Sequence, residues 1–151
     1  MVQRGFWAAC ALLLLSATAI AKDSVYLSSP AMPAAQRVSM ANTSREYRLD
    51  AARHFYDAYS PRVLRGRLPP LIHGVLVLDM TVDSAGMARE VRVVRGPSHA
   101  PDVTAAVVEM IRRASPLPRP AKLGDEVRYT EIWLVHKDGR FQLDALTEGQ
   151  N

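Results

Sequence analysis

The chain has 151 residues, with 19 Lys and Arg against 15 Asp and Glu, a formal net charge of +4 and a single cysteine. One cysteine excludes a disulfide scaffold and a cysteine-based metal site, and charges of both signs interspersed along the chain leave no basic stripe for nucleic acid. The length fits one domain, because about 110 residues bury about two-thirds of the surface that their unfolded chain exposes.

Residues 1–21 carry the three zones of a secretory signal peptide: Arg4, an uncharged apolar run from Phe6 to Ile20, and Ala19-Ile20-Ala21 before Lys22. The run is shorter than the roughly 20 residues of a membrane-spanning helix. Cleavage after Ala21 and export are therefore expected, with a retained inner-membrane anchor as the alternative. Cys10 lies at the start of the apolar run rather than after it, which argues against a lipid-modified cysteine, and it leaves with the signal. Residues 22–42 are rich in Ser, Ala and Pro and read as a flexible lead. Residues 43–151 read as the folded domain.

The domain opens on a helix. Asn42, Thr43 or Ser44 serves as its cap, Glu46 sits near its positive end, and Tyr47, Ala51, Ala52, Phe55 and Tyr59 recur at helical spacing. Ser60-Pro61 ends it, and Pro69-Pro70 imposes an extended approach to the next element. In the strand that follows, Leu76, Leu78, Met80 and Val82 share one face, and Val75, Val77, Asp79 and Thr81 the other. Asp83 to Gly86 is the turn of a hairpin whose return strand puts Met87, Val91 and Val93 on one side.

Pro101-Asp102 opens a second helix with an apolar stripe of Val103, Val107, Met110, Ile111 and Ala114. The side chains of Ser98 to Asp102 are expected to satisfy its first amides, and the prolines from Ser115 to Pro120 terminate it. A strand of about ten residues from Val127 to His136, the turn Lys137-Asp138-Gly139 and a shorter strand from Phe141 to Ala145 complete the chain. The fold class is α+β: a three- or four-stranded antiparallel sheet with two helices on one face, which buries every apolar stripe.

Site chemistry is sparse. Asp50 and His54, one helical turn apart, give two ligands and not a closed metal site. His73 and His136 flank strands as half-exposed packing residues. Ser98, His99 and Asp102 are too close in sequence for triad geometry and read as helix entry. No G-x-S-x-G, H-E-x-x-H or phosphate-cradling glycine loop is present. Neither catalysis, nor a cofactor, nor a small-molecule substrate is expected, and an envelope enzyme or metal-binding protein without a recognisable motif is kept as an alternative. The long strand carries Val127, Tyr129, Glu131, Trp133 and Val135 on one face and Arg128, Thr130, Ile132, Leu134 and His136 on the other. Both faces are partly apolar, so alternation leaves the packed face open. If the strand is a sheet edge, its free N–H and C=O groups accept an extended peptide, unless Phe141 to Ala145 covers it.

From Tyr59 to His136 the chain resembles the C-terminal domain of TonB, whose general fold the end of TolA shares. The resemblance rests on Tyr59 with Pro61, His73-Gly74 before a strand, the turn from Asp83 to Gly86, the helix ending at Arg112-Arg113, the proline segment and the long last strand. It implies a module in the periplasm of a Gram-negative cell that binds an envelope protein, an outer-membrane transporter segment in the family pattern, by strand pairing along Arg128, Tyr129, Thr130, Glu131, Ile132, Trp133, Leu134 and Val135. Tyr59, Pro61, Gly74 and Gly86 carry the family motif. The proline-rich spacer and uncleaved anchor of TonB proper have no counterpart in this sequence, so binding without energy transmission is the expected role, and a membrane-anchored energy transducer in outer-membrane transport the alternative.

Overall fold

A computed structural model describes residues 36–147; the expected signal peptide and most of the expected lead lie outside the described residues. Helix α1 (Ser44–Ala58) is capped by Thr43, whose Oγ1 accepts the Glu46 N–H at 3.2 Å, while the Glu46 carboxylate accepts the Asn42 N–H at 2.7 Å. One orphan amide of the first turn is satisfied, and a carboxylate sits at the positive end of the helix dipole. The stripe Tyr47, Ala51, Ala52 and Phe55 is buried. Tyr59 closes the helix with its N–H on Phe55 O, and Pro61 lies in a single 3-10 turn, Ser60–Arg62.

Strand β2 (Gly74–Asp83) shows the expected alternation, with Leu76, Leu78, Met80 and Val82 buried and the residues between them facing outward. Asp83 builds the hairpin turn: its carboxylate accepts the N–H groups of Ala85 at 2.9 Å and Met87 at 2.8 Å, and Gly86 takes a φ of 84°. These bonds and the nearby Arg89 hold the Asp83 carboxyl below its ordinary pKa. The return strand is β3 (Ala88–Arg95). Helix α2 (Pro101–Ala114) buries Val103, Ala106, Val107, Met110, Ile111 and Ala114. Its N-cap is Ala100, which makes no side-chain capping bond, so the expected capping by Ser98 to Asp102 is corrected. Pro101 removes one donor from the first turn, and Asp102 contributes its charge there.

The chain returns through β4 (Arg119–Pro120) to β5 (Glu126–Val135) and β6 (Phe141–Leu143), and then makes a 3-10 turn at Asp144–Leu146 where the sequence had suggested continuing strand. The four-stranded sheet is antiparallel in the order β3-β2-β5-β6, and β2 and β5 pair over their whole length, Gly74 with Val135 to Asp83 with Glu126. Both helices pack on one face and share one core, in which Phe55 stands edge to face with Trp133 at 5.3 Å and Tyr47 with Tyr129 at 5.6 Å. The fold is thus α+β, as expected. Among the described residues no helix is long and apolar enough to cross a membrane.

The lead expected as far as residue 42 joins the domain earlier. Val38–Ser39, here β1, pairs in parallel with β4; Ala121 N–H reaches Ser39 O at 3.1 Å, and the Ser39 hydroxyl donates to Asp50 at 2.7 Å. Two residues of backbone pairing carry no apolar period, which is why composition alone reads them as linker.

Candidate partner-binding edges of the sheet

In an antiparallel ladder the N–H and C=O of one residue point to the same neighbour, and successive residues alternate between neighbours. His136 N–H donates to Arg140 O across the β5–β6 hairpin at 2.8 Å, so the even-numbered residues of β5 face β6 and the odd-numbered ones face β2. Of β5, β6 pairs with Trp133, Leu134 and Val135. Along the rest of β5 the even-numbered groups therefore look outward from the sheet.

Each residue expected to receive a partner now has a place. Tyr129, Glu131, Trp133 and Val135 belong to the core and turn their backbone groups toward β2, which answers the question that alternation left open. Leu134 is already paired with Gln142 of β6. The Ile132 N–H is taken by the Glu131 carboxylate at 2.9 Å. Arg128 and Thr130 remain, exposed and with no strand beside them among the described residues. The expectation of an edge from Arg128 to Val135 is therefore corrected: β5 is an inner strand, open on one side over its first half only. β6 stops early because the chain turns away at Asp144, where Arg48 binds both Asp144 and Glu131 at 2.8 Å.

Glu131, named from the sequence only as one of the strand residues expected to pair with a partner, is a buried ion-pairing group instead. It is 1% exposed on the core face of β5, and its Oε1 accepts from Arg48 Nε and Nη2 and from the Ile132 N–H. Burial pushes its pKa up, opposed by Arg48 and by the N–H groups of Ile132 and Ala145. The Glu131 hydrogen bond in turn raises the Arg48 pKa. The signal in the sequence was an acid between Tyr129 and Trp133 at strand period.

The residues on which the resemblance rests are architectural. Tyr59 is 2% exposed and its hydroxyl donates to Met110 O at 2.8 Å, tying α1 to α2. A Cβ on Gly74 would stand 3.4 Å from both Pro97 Cγ and Val103 Cγ1, ordinary van der Waals contact, where α2 starts over the strand. A Cβ on Gly86 would lie 2.2 Å from Leu117 O. The histidines are also engaged locally. His54 Nε2 lies 2.8 Å from Ala114 O, and Asp50 is occupied by Ser39 and Arg53. His99 Nε2 lies 2.8 Å from His73 O with the two rings edge to face, and His136 Nδ1 lies 2.9 Å from Asp138. Among the described residues no three His, Cys, Asp or Glu side chains are grouped to hold a metal.

Among the described residues nothing covers the sheet face away from the helices. Its one end is apolar, with Val75, Val77, Ile132 and Leu134 exposed or half-buried. Toward the β2–β3 turn it holds a shallow depression of about 280 Å³ lined by Asp79, Thr81, Glu90, Arg92, Arg128 and Thr130. Thr130 Oγ1 donates to Asp79 there at 2.6 Å, and Arg92 pairs with Asp79. The outer edge of β6 is sealed, since Leu64 N–H donates to Phe141 O at 2.8 Å and the Gln142 amide donates to Leu64 O and Gly66 O. Among the described residues two stretches of open edge remain: the first half of β5 and the outer side of β3 beyond Ala88, whose N–H is taken by the Ser115 hydroxyl at 3.3 Å. Set against protein-family models, curated proteins and solved structures, the chain finds no match in any of the three.

Proposed function

We propose that this chain is a periplasmic, non-catalytic protein-binding module that resembles the TonB C-terminal domain and takes an extended segment of an envelope protein as an added strand. The observation that carries the reading is the half-open side of β5, where Arg128 and Thr130 present unpaired backbone groups beyond the end of β6. A segment added there continues the line of β6 and gains main-chain hydrogen bonds, while the depression holding Asp79, Arg92 and Arg128 receives side chains from its outward face. An outer-membrane transporter segment is the partner that the resemblance favours. Export rests on the sequence pattern of residues 1–21.

Proline at position 130 tests the site. The Thr130 N–H faces outward, so Thr130→Pro removes a donor that β2 does not use. Thr130→Val keeps the N–H and loses only the hydroxyl bond to Asp79. In crosslinking from envelope extracts Thr130→Val should capture its partner like the wild type. Thr130→Pro should lose about tenfold or more, the equivalent of one interfacial hydrogen bond and the room that its ring occupies. Equal capture by the two variants, both folded by circular dichroism, would count against strand addition at β5. Trp133→Pro is no substitute, because it breaks the β2 ladder and the core together.

N-terminal sequencing of the protein from native cells should read from Lys22. An intact Met1 in an inner-membrane fraction would instead support the anchored energy transducer.

A further inference from the structure

We infer that β3 is a self-pairing edge, through which two copies of this chain join their sheets in an antiparallel, two-fold contact. Among the described residues β3 has no strand on its outer side past Ala88, whose N–H goes to the Ser115 hydroxyl; β2 is internal, β5 is open over its first half only, and the outer side of β6 is sealed by residues 63–66. Glu90 and Arg92 lie opposite Thr81 and Asp79 and turn their backbone groups inward to β2, so Val91 and Val93 turn theirs outward. Exposed apolar side chains gather here, with Met87 at 39%, Val93 at 42% and Val94 at 53%.

Charge selects both the occupant and the register. Register shifts in the pairing with β2 confine the regular part of β3 to a few residues around Val91. A two-fold axis at Val91 sets Val91 opposite its own copy in a hydrogen-bonded pair. It also places Glu90 opposite the partner copy's Arg92, and Arg92 opposite the partner copy's Glu90. These are non-hydrogen-bonded pairs, in which side chains approach most closely. Both ion pairs form on the uncovered face of the sheet. Moving the axis to Glu90 opposes two glutamates, and moving it to Arg92 opposes two arginines, so the neighbouring registers are repelled. The strand is thus complementary to itself in one alignment. The result is an eight-stranded sheet with its four helices on one side, and it leaves the open half of β5 free in each copy. A contact this short makes a weak dimer.

The test uses charge reversal. Wild-type protein in sedimentation equilibrium should show a concentration-dependent monomer–dimer equilibrium. Glu90→Arg puts arginine opposite arginine, and Arg92→Glu puts glutamate opposite glutamate, so each variant alone should weaken dimerisation by tenfold or more. An equimolar mixture restores two opposite-charge pairs and should dimerise as the wild type does, which shows that neither variant has lost its fold. A wild type that stays monomeric up to its solubility limit overturns the proposal. So does dimerisation unchanged by the single substitutions, or a mixture that fails to restore it while both variants melt cooperatively.

Discussion

Replacing Gly86 with alanine should destabilise the domain by about 3–4 kcal/mol, and replacing Gly124 by only about 1 kcal/mol, although both glycines lie in the left-handed region at φ 84° and 77°. The shared part is the cost of a Cβ in that region, about 1–2 kcal/mol. The difference is what the Cβ meets. At Gly124 nothing lies within 4 Å, whereas at Gly86 Leu117 O lies 2.2 Å away. Leu117 N–H also donates to Gly86 O at 2.7 Å, and its side chain is 0% exposed in the core. The chain after α2 therefore cannot retreat without breaking that bond and withdrawing a packed leucine. Against a typical total of about 5–15 kcal/mol, the Gly86 variant should melt roughly 12 °C or more below the wild type. Thermal unfolding of the two variants side by side checks this. Equal losses would show that the close approach of Leu117 carries no energy.

Much of the fold was readable from periodicity. The two faces of Leu76 to Val82 were legible because alternation sets four apolar residues on one side and Asp79 and Thr81 on the other, and the first set is the buried one. Thr43 and Glu46 announced the start of α1 through capping chemistry that needs only neighbouring residues. The elements that were missed depend on distant partners. The β1–β4 pairing joins residues 38 and 119, and neither segment alone has a strand period. β5 was ambiguous because Ile132 and Leu134 lie on the uncovered face while an acid, Glu131, lies in the core, the reverse of simple alternation. The candidate site was legible as a strand but not as an edge. Which part of β5 is open follows from where β6 stops, and that is set by Arg48, far from β5 in sequence, which binds Asp144 just past β6.

Arg48→Met should cost about 3 kcal/mol at pH 7, and the loss should shrink on acidification. Removing one partner of a buried ion pair leaves the other charged and desolvated, at about 3–5 kcal/mol for a fully buried pair. The Arg48 side chain is 25% exposed and Glu131 only 1%, which places this pair at the lower end. Burial already raises the Glu131 pKa in the wild type, and losing the arginine raises it further. A carboxyl whose folded pKa exceeds its unfolded value binds its proton first in the folded state. Its unfavourable contribution is therefore complete above the raised folded value and fades as pH falls through that value toward the unfolded one, about 4.3. Urea unfolding at pH 7 and pH 5 should show the gap between variant and wild type narrowing. A gap that is constant or widens would mean that Glu131 is not the charge left behind. In Arg48→Met/Glu131→Leu no charge is stranded, and most of the loss should return. The Ile132 N–H, left without its acceptor, should account for about 1 kcal/mol of the remainder. That freed amide faces the open side of β5, next in line after Thr130. The double variant should accordingly offer a partner strand one more hydrogen bond, and the proposed strand addition requires that it bind no more weakly than the wild type.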